Sequence, residues 1–133
     1  IGAAHAPKPK PGIKPLVPLE RRMRQRVARG QLPVGGVLDL HGLRQDEAHR
    51  VLLDFIHRKA HEGASVVIVI TGKGGAGGNS LSGGERGILK RLVPHWLADP
   101  GQRRYVLGYE DAAQHHGGTG ALYVRLRRLR EGG

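Results

Sequence analysis

Leu38-Asp39-Leu40-His41-Gly42 reads as a short apolar strand that interrupts its own pattern with an acid and an imidazole, then stops at a glycine. Strand residues two apart point to the same face. Leu38 and Leu40 therefore share one face, and Asp39 and His41 share the other. With the leucines turned to a core, a carboxylate and an imidazole stand side by side on an exposed surface. Two further turns rich in glycine, Thr71-Gly72-Lys73-Gly74 and Gly117-Gly118-Thr119-Gly120, follow one strand and precede another.

The neighbouring segments set the fold class. From about Gln45 to Glu62, the residues Ala48, Val51, Leu52, Phe55 and Ile56 follow the helical period, and Asp46 and Glu47 suit the positive N-terminal end. Val66-Val67-Ile68-Val69-Ile70 is an unbroken β-branched run, which fits a central strand covered on both faces. A second helix is expected from about Glu85 to Leu97, with Pro94 kinking or restarting it. Tyr105 to Leu107 reads as a short third strand. The fourth, Ala121 to Arg128, alternates Leu122, Val124 and Leu126 inward with Tyr123, Arg125 and Arg127 outward. The order β-α-β-α-β-β predicts an α/β two-layer sandwich, with two helices on one face of a four-stranded mixed sheet. The other face is then expected to be partly open and basic.

Before the first strand the composition changes. Residues 1–18 hold five prolines among three lysines and read as an extended arm. Residues 19–29 place Leu19, Met23 and Val27 four apart, with Arg21, Arg22, Arg24, Arg26 and Arg29 around them and Gly30 as a stop. This is a short basic helix, able either to dock on the domain or to fold against nucleic acid. The expected division is an extension over 1–34, a domain over 35–128 and a tail over 129–133.

The net charge is +11, of which residues 1–34 supply +7. Such an excess favours a polyanion, most often nucleic acid, through counterion release; a solubilising tail is the bland alternative. Without cysteine there are no disulfides and no thiolate metal sites. No apolar run approaches the ~20 residues that span a bilayer. No signal peptide is visible, the start at Ile1 reads as truncated, and a cytoplasmic location with no membrane partner is the expectation. A monomer is the simpler expectation for the assembly.

Several patterns carry less than they suggest. Gly72 to Gly77 satisfies G-x-G-x-x-G after a strand, but no helix opens there and no acid stands at the required spacing. Leu81-Ser82-Gly83-Gly84-Glu85 matches the ABC ATPase signature in a chain without a P-loop. His57 and His61 sit on a polar helix face with no third ligand near in sequence. His115 and His116 precede the last glycine turn, where one of them can join Asp39 and His41 or both can be loop residues. Asp39 is open to structural readings, capping a neighbouring turn or merely satisfying the His41 ring, and to a functional one as half of an acid–base pair.

Taken together, Leu38 to Gly42, Thr71 to Gly74 and Gly117 to Ala121 resemble the Smr (small MutS-related) domain, over roughly residues 35–128 and with all three motifs in order. The basic extension resembles that of stand-alone bacterial members. The resemblance implies a fold similar to the C-terminal domain of translation initiation factor three. It implies binding of DNA or RNA, endonuclease activity in many members, and binding without cleavage in others. It places Asp39 and His41 at the catalytic centre, lined by Thr71, Gly72, Lys73, Gly74, Gly118 and Gly120.

The resulting expectation is phosphodiester hydrolysis or transesterification; the alternatives are a non-catalytic nucleic-acid-binding module and a ribosome-associated or protein-partner module that uses the Pro-rich arm. His41 serves as general acid or base, and Asp39 orients its ring or holds a hydrated Mg²⁺ or Mn²⁺. Lys73, backbone amides of the glycine turns and His116 steady the phosphate. Arg21, Arg22, Arg24 and Arg26, with Arg125 and Arg127, grip the nucleic-acid backbone.

Overall fold

The computed structural model describes residues 21–72 and 83–129. In chain order the elements are α1 (Arg21–Ala28), β1 (Val37–Asp39), α2 (Gln45–His61), β2 (Val66–Ile70), α3 (Gly83–Ala98), β3 (Val106–Asp111) and β4 (Ala121–Leu126). Two 3₁₀ turns, Gln114–His116 and Gly118–Gly120, join β3 to β4. The strands form one mixed sheet in the order β1-β2-β4-β3. β1 and β2 are parallel, whereas β4 is antiparallel to both β2 and β3. The α/β class and the strand sequence thus match the expectation.

One layer follows directly from periodicity. On α2, Ala48, Leu52, Phe55, Ile56 and Ala60 are buried, with acids in the first turn and Arg58, Lys59 and His61 in the last, each complementing the helix dipole. They pack with Leu89, Val93 and Leu97 of α3 onto Val67, Val69, Leu122, Val124 and Leu126 of the sheet. Each fully buried Leu or Val stabilises the domain by about 1.5–3 kcal/mol. α3 runs as one helix through Pro94, so of the kink or restart expected there the restart does not occur.

The second face corrects the sequence reading. It is not open: Val27 of α1 is fully buried there with Val66, Ile68, Ala112, Ala121 and Tyr123, and Met23, Leu32 and Val34 extend the cover. Tyr123, expected to point outward into solvent, is 0% exposed. The apolar stripe of α1 and the apolar face of the sheet each need a partner, and they meet. Arg24 fixes the arrangement by donating its Nε–H to the Asp111 carbonyl at 3.0 Å. Between the two outcomes open to the basic helix, the structure shows it docked.

The last two strands also differ in extent. β3 continues to Asp111 rather than Leu107, because it pairs with β4 through Asp111–Leu122 after an irregularity between Val106 and Gly108. β4 stops at Leu126. Arg127 lies beyond it, with its Nε–H donated to the Arg103 carbonyl at 2.8 Å.

Candidate active site

Parallel strands finish at the same end of a sheet, and an antiparallel neighbour begins there. Asp39 of β1, Ile70 of β2 and Ala121 of β4 are consequently aligned in one row. The turns that follow β1 and β2 and the turn that precedes β4 meet at that end. Leu40 extends the ladder by donating its N–H to the Ile70 carbonyl at 2.8 Å, and its side chain is fully buried. This anchor leaves Asp39 and His41 on the solvent side, as the strand alternation predicts.

Oδ1 of Asp39 accepts the backbone N–H of His41 at 3.0 Å and lies 2.5 Å from Nδ1 of its ring. The His41 and Asp39 side chains are 67% and 49% exposed, so both can be reached by a large ligand. Partial burial, the largest single influence, pushes the Asp39 carboxyl up; the hydrogen bonds and charge of His41 more than offset it and leave the group below its ordinary value. Asp39 is therefore ionised near neutral pH and can only accept, so Nδ1 carries the proton of that bond. Nε2, the other ring nitrogen, is left as the group able to take or give a proton.

The second and third turns are stitched to each other and to this pair. The Gly120 carbonyl accepts from the N–H of Thr71 at 2.9 Å and of Gly72 at 3.0 Å. Thr71 is buried and directs its hydroxyl to the Gly72 carbonyl at 3.1 Å. Gly72 has φ +90°, a left-handed conformation that only glycine adopts cheaply, and a Cβ built on it would lie 3.6 Å from that of His41. The amides of Thr71 and Gly72 are spent on Gly120, and those of Gly118 and Gly120 on Ala113 and Gly117. From the sequence these amides are expected to present donors to a phosphate; they brace the site internally instead, because each already has a backbone carbonyl partner.

Other expected site residues fall in three places. His116 is joined to Tyr123, whose hydroxyl lies 2.5 Å from Nδ1, and its ring is 4.1 Å from that of His115. Tyr123 shares the Asp39 face of the sheet, with β2 between their strands, roughly 10 Å across. Burial first, and then the neighbouring charge of His115, hold the His116 imidazole below its ordinary value. On α1, Arg21, Arg22 and Arg26 are exposed, and Arg24 is tied to the site-side end of β3. Arg125, opposite Val66, and Arg127 lie at the far end of the sheet. Lys73, Gly74, the rest of the glycine-rich stretch up to Ser82, and the Pro-rich arm lie outside the described residues.

One cation escaped the sequence reading. Lys90 lines a cleft of about 150 Å³ with Thr71, Pro94, Asp111 and Thr119. No local pattern marks it, since only the docking of α3 brings it beside the second turn. For a divalent cation, Asp39 offers one carboxylate with Oδ1 already committed to His41. Among the described residues no group of three or more His, Asp or Glu is arranged to hold a metal. The described residues thus form no all-protein cage, and a hydrated Mg²⁺ or Mn²⁺ would be held by Asp39 together with a substrate phosphate. None of the described helices is long and apolar enough to cross a membrane.

Comparison with known proteins extends the picture. The model of the Smr domain family matches residues 38–127. Ribosome rescue factor SmrB of Aliivibrio fischeri (strain MJ11) is 35% identical over 102 residues, covering 77% of this chain and 50% of that protein. Probable DNA endonuclease SmrA of Escherichia coli (strain K12) is 28% identical over 110 residues, covering 83% and 54% respectively. The chain thus spans about half the length of these curated relatives. The crystal structure of YdaL, a stand-alone small MutS-related protein from Escherichia coli, superposes with a TM-score of 0.63 at 28% identity, over 82% of this chain and 77% of that one. The Smr domain of Thermus thermophilus MutS2 gives 0.55 at 25% identity, over 69% and 98%.

Proposed function

The chain belongs to the Smr domain family, and on that footing we infer that it is a nucleic-acid-binding endonuclease whose reacting group is His41. The observation that carries this reading is the exposed Asp39–His41 contact at the end of the sheet where all three turns meet. Asp39 fixes the ring tautomer and stabilises the imidazolium that forms when Nε2 takes a proton. The proton comes from water, giving hydrolysis, or from a ribose 2′-hydroxyl, giving transesterification. Returning it to the leaving oxygen completes the acid–base cycle. Thr71, Gly72, Gly118 and Gly120 brace the turns that hold His41 in register, and Lys73, Gly74 and His116 are assigned to the phosphate beside it. The exposed arginines of α1 add backbone attraction without sequence choice.

A cleavage time course on supercoiled plasmid and on single-stranded RNA tests the assignment, with wild type and Asp39→Ala side by side. Cutting by wild type alone supports it; equal cutting by both overturns it. Retained, salt-sensitive binding without cutting in either protein assigns a binding module instead. The relatives named ribosome rescue factors favour a second reading, in which the RNA is met on a ribosome. Co-sedimentation of the protein with ribosomes tests that reading.

A further inference from the structure

Beside the Asp39–His41 pair, at the seam of α2 and α3, a cleft of about 510 Å³ is lined by Arg44, Gln45, Asp46, His49 and Trp96. The His49 and Trp96 rings stand 4.6 Å apart at a tilt of 39°. His49 is exposed, whereas Trp96 is half-buried with its inner edge against the core. Arg44, at the mouth, is three residues from His41, so the two Cα atoms are at most about 11 Å apart.

The lining chemistry selects an occupant. Arg44 and Asp46 stand in the same cleft and balance each other, so a bare phosphate gains little there. A nucleobase gains more: a π-face for the tilted rings, an acceptor in Asp46 and an amide in Gln45 for its edge, and a guanidinium plane in Arg44. A base in a duplex has its faces covered by neighbours, so only an unpaired one can enter.

We propose that this cleft is a subsite for an unpaired nucleobase, the neighbour of the phosphate held at His41. It rests on the nuclease reading for its strand and deepens it by naming the substrate as single-stranded at the cut. Asp46 rewards bases that present an amino or imino N–H, and Trp96 and His49 accept any ring.

Trp96 is the chain's one tryptophan, so its emission reports on this cleft alone. The full chain carrying His41→Ala, which keeps the strand intact, is titrated with a labelled single-stranded oligonucleotide. Probe anisotropy reads binding, and tryptophan emission reads the cleft. Parallel arms use RNA, DNA, a duplex and an abasic strand of equal length. A single strand of either sugar is expected to quench Trp96. The duplex and the abasic strand are expected to leave its emission unchanged, with the abasic strand binding about five- to tenfold more weakly. Adding His49→Ala, an exposed change that spares the core, weakens single-strand binding by a similar factor and leaves duplex binding as it was.

Binding by anisotropy with unaltered emission, or equal affinity for abasic and intact strands, overturns the subsite while the nuclease reading stands. An absence of any anisotropy change overturns both.

Discussion

The Tyr123 hydroxyl lies 2.5 Å from Nδ1 of His116, linking a fully buried ring on the sheet to an imidazole in the turn above it. The phenol is held by α1 on one side and by the strand row on the other, so it fixes where His116 can sit. The same face carries Asp39, which makes α1 and Tyr123 the floor of the site's far side.

Removing that hydroxyl tests the link. Tyr123→Phe keeps the ring and its burial and deprives His116 of its partner. The denaturation midpoint should fall by an amount equivalent to about 1 kcal/mol. Cleavage should fall with it, while the affinity for nucleic acid is retained. An unchanged rate would remove His116 from the reaction.

Asp39→Asn and His41→Ala address the proton-transfer pair. Each should lower the cleavage rate by about 10²–10⁴-fold, the usual reach of general acid–base catalysis. Binding measured at fixed salt should change little. Chelation with EDTA separates the two roles open to Asp39: an unaltered wild-type rate assigns it the orientation of His41 alone, whereas a rate lost and then restored by Mg²⁺ or Mn²⁺ assigns it a hydrated cation shared with the substrate phosphate.

The acid side of the stability profile has a definite sign. Asp39 is held below its unfolded value of 3.8, so its contribution is present above that pH and disappears as pH falls through the folded value. His116 is held below 6.5, so the unfolded chain binds the extra proton and stability is likewise lost on acidification, starting below 6.5. Urea midpoints at pH 5 and 7.5 should diverge in wild type and converge in His116→Gln.

Gly72→Ala should be costly for a conformational reason. The 3.6 Å separation from the His41 Cβ is ordinary contact, but φ +90° is unfavourable for alanine by about 1–2 kcal/mol. Thermal unfolding should shift down, and cleavage should drop as His41 loses its register.

On α1, Arg22→Ala and Arg26→Ala should each weaken binding to every sequence alike and reduce the slope of affinity against salt by about one. Val27→Asp should instead destabilise the whole domain, since Val27 is fully buried against the sheet.

Local pattern carried a large part of this arrangement. The alternation of Leu38 to His41 and the run Val66 to Ile70 each state a face or a degree of burial within a few residues, and the three turns announce their shared site by type. Long-range pairing was beyond such reading. The alternation at Leu122 to Arg127 shows which residues share a face, but not that a helix from residues 21–28 would cover the second one. Tyr123 therefore looked solvated. The Arg24–Asp111 bond, 87 residues apart, has no local signature. The Trp96–His49 cleft was hidden for a related reason: on one helix Trp96 reads only as core, and its second role emerges from the neighbouring helix.

The direction in which the chain enters and leaves has a practical corollary. Arg24 is pinned beside the end of β3 at the pole of the sheet that carries Asp39 and His41, whereas β4 runs to Leu126 at the opposite pole. A fluorophore or surface anchor attached at Arg21 will crowd that pole. The same attachment at Leu129 will leave it accessible, so immobilised or labelled forms should be tethered by the back.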